Sequence, residues 1–371
     1  MLVVGGGVAG LEAVLALHAL APDLTQVSLI APEQELVYRP MTVREPFAYA
    51  NASRYPLARI VADAGAQLIT DELAWVEPAA QTIHTKTGTV LGYDALVLAL
   101  GAKAKPRYEH AVTIDDRHMD QTLHGIIQDI EQGYTHSLAF VSPARMPWQL
   151  PIYELALMSA GRAYDMNIDL DVTIVTPEES PLAIFGTGAS AGVTKLLEDT
   201  HIRTITSAYA EIPHPGEIII NPGDRHLHTN RIIALPELYG PRIRGIPLAE
   251  HGFIPVDEHA KVHETQNIYA AGDATNFPIK HGGLASQQAD AAAETIAAQA
   301  GAPVTPQPHD HTITGMLLTN DKPLYLTAKI AHGHGYTSQL TTTPTRTPPT
   351  KIAAKYLTPQ LNTIDQETSR S

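Results

Sequence analysis

At 371 residues the chain is long enough for two or three domains of about 100–200 residues each. Its formal charge of −14 excludes the basic footprint that nucleic-acid phosphates need and disfavours broad adhesion to an anionic membrane. With no cysteine it has no disulfide framework, no thiolate zinc site and no redox-active cysteine pair. The hydrophobic fraction of 44% is that of an ordinary packed protein.

No basic leader precedes Leu2-Val3-Val4, and no apolar run approaches the ~20 residues of a spanning helix. The expectation is a cytoplasmic protein without a transmembrane segment.

The first thirty residues read as β-α-β: "MLVV" is a buried strand, "GGGVAG" a turn, "LEAVLALHALA" a helix and "QVSLIA" the second strand. An irregular stretch rich in proline and aromatics follows. "LARIVADAGAQLIT" returns to helix and strand. A small antiparallel meander then climbs into a buried strand, Ala95 to Leu100, that ends at Gly101. Residues 116–132 are helical in pattern, and "SLAFVSPARMPWQLPIYELALMSA" opens a second β-α-β that closes with "DLDVTIVTPEES". Helix, strand and hairpin follow. "NIYAAGDATNFPIKHGGLASQQADAAAETIAAQAG" then gives strand, turn and a long alanine-rich helix. From Ala302 the chain is rich in proline and threonine, with two ordered-looking pieces and a polar tail. Two β-α-β modules, the second inserted before the first is complete, dominate the organisation.

Gly5-Gly6-Gly7-Val8-Ala9-Gly10 fits G-x-G-x-x-G between a strand and a helix. The first glycine makes the tight turn and the second lets backbone approach a pyrophosphate. The third allows close helix–strand packing, and the helix N-terminus offers N–H groups and partial positive charge. The acidic residue expected about 20 residues on is represented by Glu33, displaced by a couple of positions into the loop after the second strand. A second buried strand ends in Gly272-Asp273, where a carboxylate can accept hydrogen bonds from a polyol, and the helix beyond it aims its N-terminus at the same place.

These residues carry a resemblance. "VVGGGVAGLEA", "YDALVLALGA" and "IYAAGDATNFPIKHGG" are similar to the three FAD segments of the pyridine nucleotide-disulfide oxidoreductase superfamily. "APEQELVYRP" and "GDA…GGLASQQA" look most like the branch holding type II NADH dehydrogenases and sulfide:quinone oxidoreductases. The resemblance covers about 300 residues. It implies an α/β fold of two Rossmann-like dinucleotide-binding domains and a small C-terminal segment with a partly disordered tail. The FAD domain (1–105 and 246–301) would be interrupted by a second, degenerate NAD-type domain (106–245), leaving 302–371 as the C-terminal segment. Gly5, Gly7, Val8, Ala9 and Gly10 would hold the pyrophosphate, with Ala99, Leu100, Gly101 and Gly272 passing close to the cofactor. Asp273 would bind the ribitol, Leu73 would lie near the adenine, and Arg39 and Pro40 on the flavin side. The helix start at Gly283 and Leu284 would point at the flavin's N1/O2 edge, with Glu33 serving the ribose.

In NADH-using relatives the second strand-turn-helix is another glycine-rich loop ending in a glutamate. Here Glu154 resembles that glutamate, but the turn is longer and holds Pro143, Pro147 and Trp148 instead of glycine. Proline and tryptophan block the close backbone approach that glycine permits, so this loop is expected to pack over the flavin or line a substrate cavity. Glu154 is either a proton relay near the flavin or a helix residue paired with a neighbouring arginine. Lys280 is either a cation at the flavin edge or a solvated loop lysine. His309-Asp310-His311 and His332-Gly333-His334 have the spacing of metal-ligand pairs but no third cluster, so they read as polar loop residues and no metal is expected. "TKIAAKYLTPQL" is a short amphipathic piece that docks on its own protein or makes a weak peripheral contact with the inner face of a membrane.

The function expected is an FAD-dependent oxidoreductase, with Glu154 and Lys280 as candidate catalytic residues. It would pass electrons from a small-molecule donor to an acceptor such as a quinone, as a monomer or homodimer. Without cysteine it is not expected to run cysteine-based sulfide or disulfide chemistry. One alternative keeps NAD(P)H as donor, bound by the second domain. Another, of a different class, is a non-catalytic flavin-binding sensor or interaction protein.

Overall fold

The computed structural model describes residues 1–331, 334–335, 337–344 and 349–369. Strands Leu2–Val4, Ser28–Ile30, Gln67–Ile69, Leu96–Leu98 and Ile268–Ala270 form a wholly parallel sheet. Leu2–Val4 lies at its centre, flanked by Leu96–Leu98 and Ser28–Ile30. These strands are short and apolar on both faces, as a sheet covered on both sides requires. Val3, Leu29, Val97 and Tyr269 pack against helices Val8–Leu20 and Gly282–Gln299. Their neighbours Leu2, Val4, Leu96 and Leu98 face the antiparallel meander Leu73–Glu77, Thr82–Thr85 and Val90–Gly92.

A second unit repeats this plan. Val112–Thr113, Arg231–Ala234, Ser137–Val141, Asp171–Val175 and Arg203–Ile205 form a parallel sheet in that spatial order. Leu138, Phe140 and Ile174 pack against helices Met119–Glu131, Leu150–Asp165 and Gly186–Asp199. Ala139, Val141 and Val175 face another three-stranded meander over residues 209–228. The chain passes between the units along Lys103–Lys105 and Glu237–Tyr239, which pair antiparallel.

The C-terminal stretch first adds an antiparallel sheet, Thr312–Leu317, Leu324–Ala331 and Gln339–Thr341, to the helical face of the second unit. It then crosses to the first unit. There helix Leu357–Thr368 buries Leu357, Leu361 and Ile364, running from the end of the amphipathic piece into what the sequence reads as a polar tail. That helix follows from a narrow apolar stripe at i, i+4 and i+7, too sparse to stand out among its polar neighbours.

Candidate functional site

The glycine turn is built by close approach. Gly5 has φ +115°, and a Cβ there would come within 2.2 Å of the Ala99 carbonyl oxygen. A Cβ on Gly10 would lie 1.9 Å from the Gly5 oxygen. These two glycines are therefore required by packing of the turn against its own sheet and helix. Gly7 differs: a Cβ there would meet nothing within 4 Å. It opens the helix Val8–Leu20, whose N-terminus carries no side-chain cap and no acidic residue in its first turn. An uncapped helix start with free approach for an anion is what a pyrophosphate requires. Gly101, with φ +67°, likewise faces open space.

Gly272, with φ +76°, is held between the Ala9 and Ala285 methyl groups of the two long helices. Asp273 follows it, half-buried, and takes no hydrogen bond from the protein among the described residues. Burial holds its carboxyl above the usual carboxylate range, with Lys280 opposing. Such a side chain fits a polyol ligand that would supply the missing donors. Glu33 is exposed after the second strand, Leu73 is buried and Arg39 reaches Asp116 at 3.8 Å.

Lys280 is not a solvated loop lysine. It is 7% exposed, its Nζ donates to the carbonyls of Thr275 and Phe277, and it lies 4.1 Å from the Phe253 ring centroid. Burial lowers its pKa to about 8, with Asp273 opposing. The next residue, His281, caps helix Gly282–Gln299 by accepting from the Gly283 N–H at 3.1 Å. Leu284 is buried behind it.

The second strand-turn-helix reaches the same place. Trp148, from the proline-rich turn, sets its ring 4.6 Å from His281 and 5.7 Å from Phe185. Glu154 pairs not with an arginine but with Lys351, 197 residues away, at 2.6 and 2.8 Å. It also accepts from the Leu318 N–H at 2.9 Å. Lys351 Nζ donates in addition to the Pro40 carbonyl at 2.8 Å. Burial pushes both members of the pair toward their neutral forms, and their mutual attraction opposes it. The residues after Lys351 lie over the start of helix Gly282–Gln299. A Cβ on Gly282 would meet Ile352 at 2.9 Å, and one on Gly283 would lie 3.9 Å from Ala353.

A second buried glutamate is held by the same stretch. Glu12, fully buried on helix Val8–Leu20, accepts from the N–H groups of Tyr356 and Leu357 at 2.9 and 2.6 Å and so caps the C-terminal helix from outside. Asp290 stands beside it on helix Gly282–Gln299; burial and then the Glu12 charge raise its pKa to about 8.

Lys351, Glu12 and Asp290 have no local signature in the sequence. Glu178 has one that was missed: it follows the strand Asp171–Val175 much as Glu33 follows Ser28–Ile30. Its Oε2 accepts from the Tyr153 hydroxyl at 2.6 Å and the Thr176 hydroxyl at 3.1 Å. His309 is buried rather than a polar loop residue, packed against Phe277 and His311, and burial lowers its pKa to about 4. His332 lies outside the described residues, and so does the His334 side chain. No group of three His, Asp or Glu among the described residues is placed to hold a metal ion. None of the described helices is long and apolar enough to cross a membrane.

The profile of the pyridine nucleotide-disulphide oxidoreductase family matches residues 1–128, the stretch that carries the open glycine turn. An NADH dehydrogenase-like protein of Mycobacterium tuberculosis is 25% identical over 292 residues, 74% of this chain and 72% of that one. The sulfide-quinone reductase of Aquifex aeolicus is 24% identical over 265 residues, 66% of this chain and 59% of that one. The solved structure of the sulfide:quinone oxidoreductase from Aquifex aeolicus superposes with a TM-score of 0.80. It covers 92% of this chain and 86% of its own, at 19% identity. The resemblance read in the sequence is borne out, and so is the α/β fold with Rossmann-like units. The family match implies FAD, and the open turn at Gly7 and the Asp273 carboxylate, which takes no hydrogen bond among the described residues, fit it.

Proposed function

We propose that this chain, with its pyridine nucleotide-disulphide oxidoreductase segment, is an FAD-dependent oxidoreductase that passes electrons from a small-molecule donor to a quinone-type acceptor. The observation that carries the reading is the meeting of three elements at one place: the start of helix Gly282–Gln299, the Trp148 turn and the Lys351–Ile352 segment. When bound, FAD supplies two-electron redox chemistry at its ring system.

The chain's own residues have distinct tasks in this reading. The helix start at Val8 binds the pyrophosphate, and Asp273 accepts hydrogen bonds from the ribitol. The start of helix Gly282–Gln299 contributes partial positive charge where negative charge accumulates on reduction. Ile352 and Ala353, lying over that helix start, exclude water. A quinone takes up two protons with its two electrons, and the Glu154–Lys351 pair is a buried group able to lend one. Burial favours the neutral form of each partner and their mutual attraction opposes it, so the pair holds one proton between two buried groups. With no cysteine in the chain, the donor is read as one whose oxidation needs no protein thiol.

The test is anaerobic. The flavoprotein is reduced with dithionite, freed of excess and mixed with ubiquinone-1 or menadione, and flavin absorbance is followed. Saturable reoxidation is expected, slowed about 100-fold in Lys351→Met at unchanged flavin content, the scale of a lost general acid. Reoxidation by oxygen but by neither quinone would sink the proposal.

A further inference from the structure

In open α/β sheets a ligand lies in the crevice outside the carboxyl ends of the strands. In the second unit that crevice is bounded by the turn after Ser137–Val141 and the loop after Asp171–Val175. A dinucleotide there needs three things: helix N–H groups for the pyrophosphate, close backbone approach, and a free carboxylate for a ribose.

Each is missing. The helix begins Leu150-Pro151-Ile152; Pro151 has no N–H, and the Ile152 N–H donates to the Gln149 carbonyl at 3.1 Å. From Ser137 to Ala160 there is no glycine. The approach is filled by Trp148, whose ring packs edge-on against the fully buried Phe185 and reaches His281. Glu178, at the position from which a carboxylate would reach a ribose, is turned inward on the Tyr153 and Thr176 hydroxyls. Burial also pushes its pKa to about 7, so near neutrality much of its charge is gone.

We infer that the second unit excludes nicotinamide nucleotides from within, and that Trp148 and the Tyr153–Glu178 hydrogen bond are the residues that set this specificity. The unit that would bind a dinucleotide is a wall of the site instead, and the donor is a smaller molecule than NAD(P)H. This rests on the FAD reading of the first unit.

The test uses the FAD-loaded protein. Oxidised protein is titrated with NAD⁺ and NADP⁺ by calorimetry, and separately mixed with NADH and NADPH without oxygen. Neither saturable heat nor flavin bleaching is expected up to about 1 mM, where binding is only about 4 kcal/mol, while dithionite bleaches the flavin fully. The Trp148→Gly/Tyr153→Phe double variant opens the approach and removes the shorter of the two hydroxyl contacts on Glu178; bleaching by NADH at least about 10-fold faster than wild type is expected. If the double variant loses its flavin, Trp148→Ala alone, which clears the approach and keeps the Tyr153–Glu178 hydrogen bond, carries the comparison for the tryptophan. Saturable nucleotide binding to the wild type overturns the inference even if quinones reoxidise the flavin. A variant as inert as wild type overturns the assignment to these side chains. Failure of quinone reoxidation with nucleotides also inert would instead strike the proposed function alone.

Discussion

The chain builds the same strand-turn-helix twice, and the two copies have diverged at the turn while keeping a buried glutamate on the helix. In the first, Gly5 and Gly10 lock the turn to the sheet and Gly7 leaves the helix start open. In the second, proline and tryptophan fill the equivalent space. Yet Glu12 and Glu154 are both buried, and residues 351–357 satisfy both, one through backbone N–H groups and the other through a lysine. A turn can therefore change from cradle to plug without disturbing the helix behind it, provided the helix's buried charge keeps its partner.

The sharpest way to break the comparison is at the first turn. Gly10→Ala forces a Cβ onto the Gly5 oxygen and is expected to cost more than about 4 kcal/mol and abolish flavin binding, read by thermal unfolding and absorbance. Gly7→Ala meets nothing and is expected to leave the melting temperature of the apoprotein unchanged while weakening flavin retention. Equal losses of stability in both variants would contradict a division between locking and cradling glycines.

Next in size is the second glutamate's partner. Lys351→Met leaves a buried carboxylate without its cation and is expected to destabilise by about 3 kcal/mol in urea, with Glu154→Leu added to it restoring most of the loss. If the single variant is neutral, the ion pair is not what holds the Lys351 segment at the site.

Asp290 sharpens the first clasp. Its folded pKa of about 8 lies above the unfolded value of about 4. The wild type therefore loses this group's contribution as pH rises from about 4 to 8. Asp290→Asn is expected to be the more stable form by about 1–2 kcal/mol at pH 7, with the advantage growing from pH 5 to 8 and flat above. An advantage independent of pH would exclude titration of this residue as its cause. Smallest is Lys280→Met, which removes a buried cation and is expected to lower the flavin midpoint potential by about 30 mV, read by dye-linked titration.

Much of this was legible in the sequence where the signal is local. Alternating strand and helix patterns, the glycine fingerprint and the Gly272-Asp273 strand end are each read within a dozen residues. What was not legible depends on pairs far apart in the chain. Lys351 looks like any surface lysine until Glu154 and the Pro40 carbonyl close around it. Lys280 looks like a loop lysine because its partners are carbonyls, which every residue carries. Glu12 sits in an apolar helix as an anomaly that only the C-terminal helix explains. The inward turn of Glu178 depends on a tyrosine 25 residues earlier, and nothing in a strand-end glutamate says which way it faces.

The Glu12 contact also sets an order of events in synthesis. Its two donors lie 344 and 345 residues later. At roughly 5–20 residues per second, about 20 to 70 s pass between the emergence of the carboxylate and that of its partners. Through that time the first helix cannot bury its charged face without leaving a desolvated carboxylate. The unit begun first is therefore finished last, and the inserted unit folds while the first is open. A nascent chain stalled before Tyr356 is expected to leave residues 8–20 open to protease while residues 137–205 are protected.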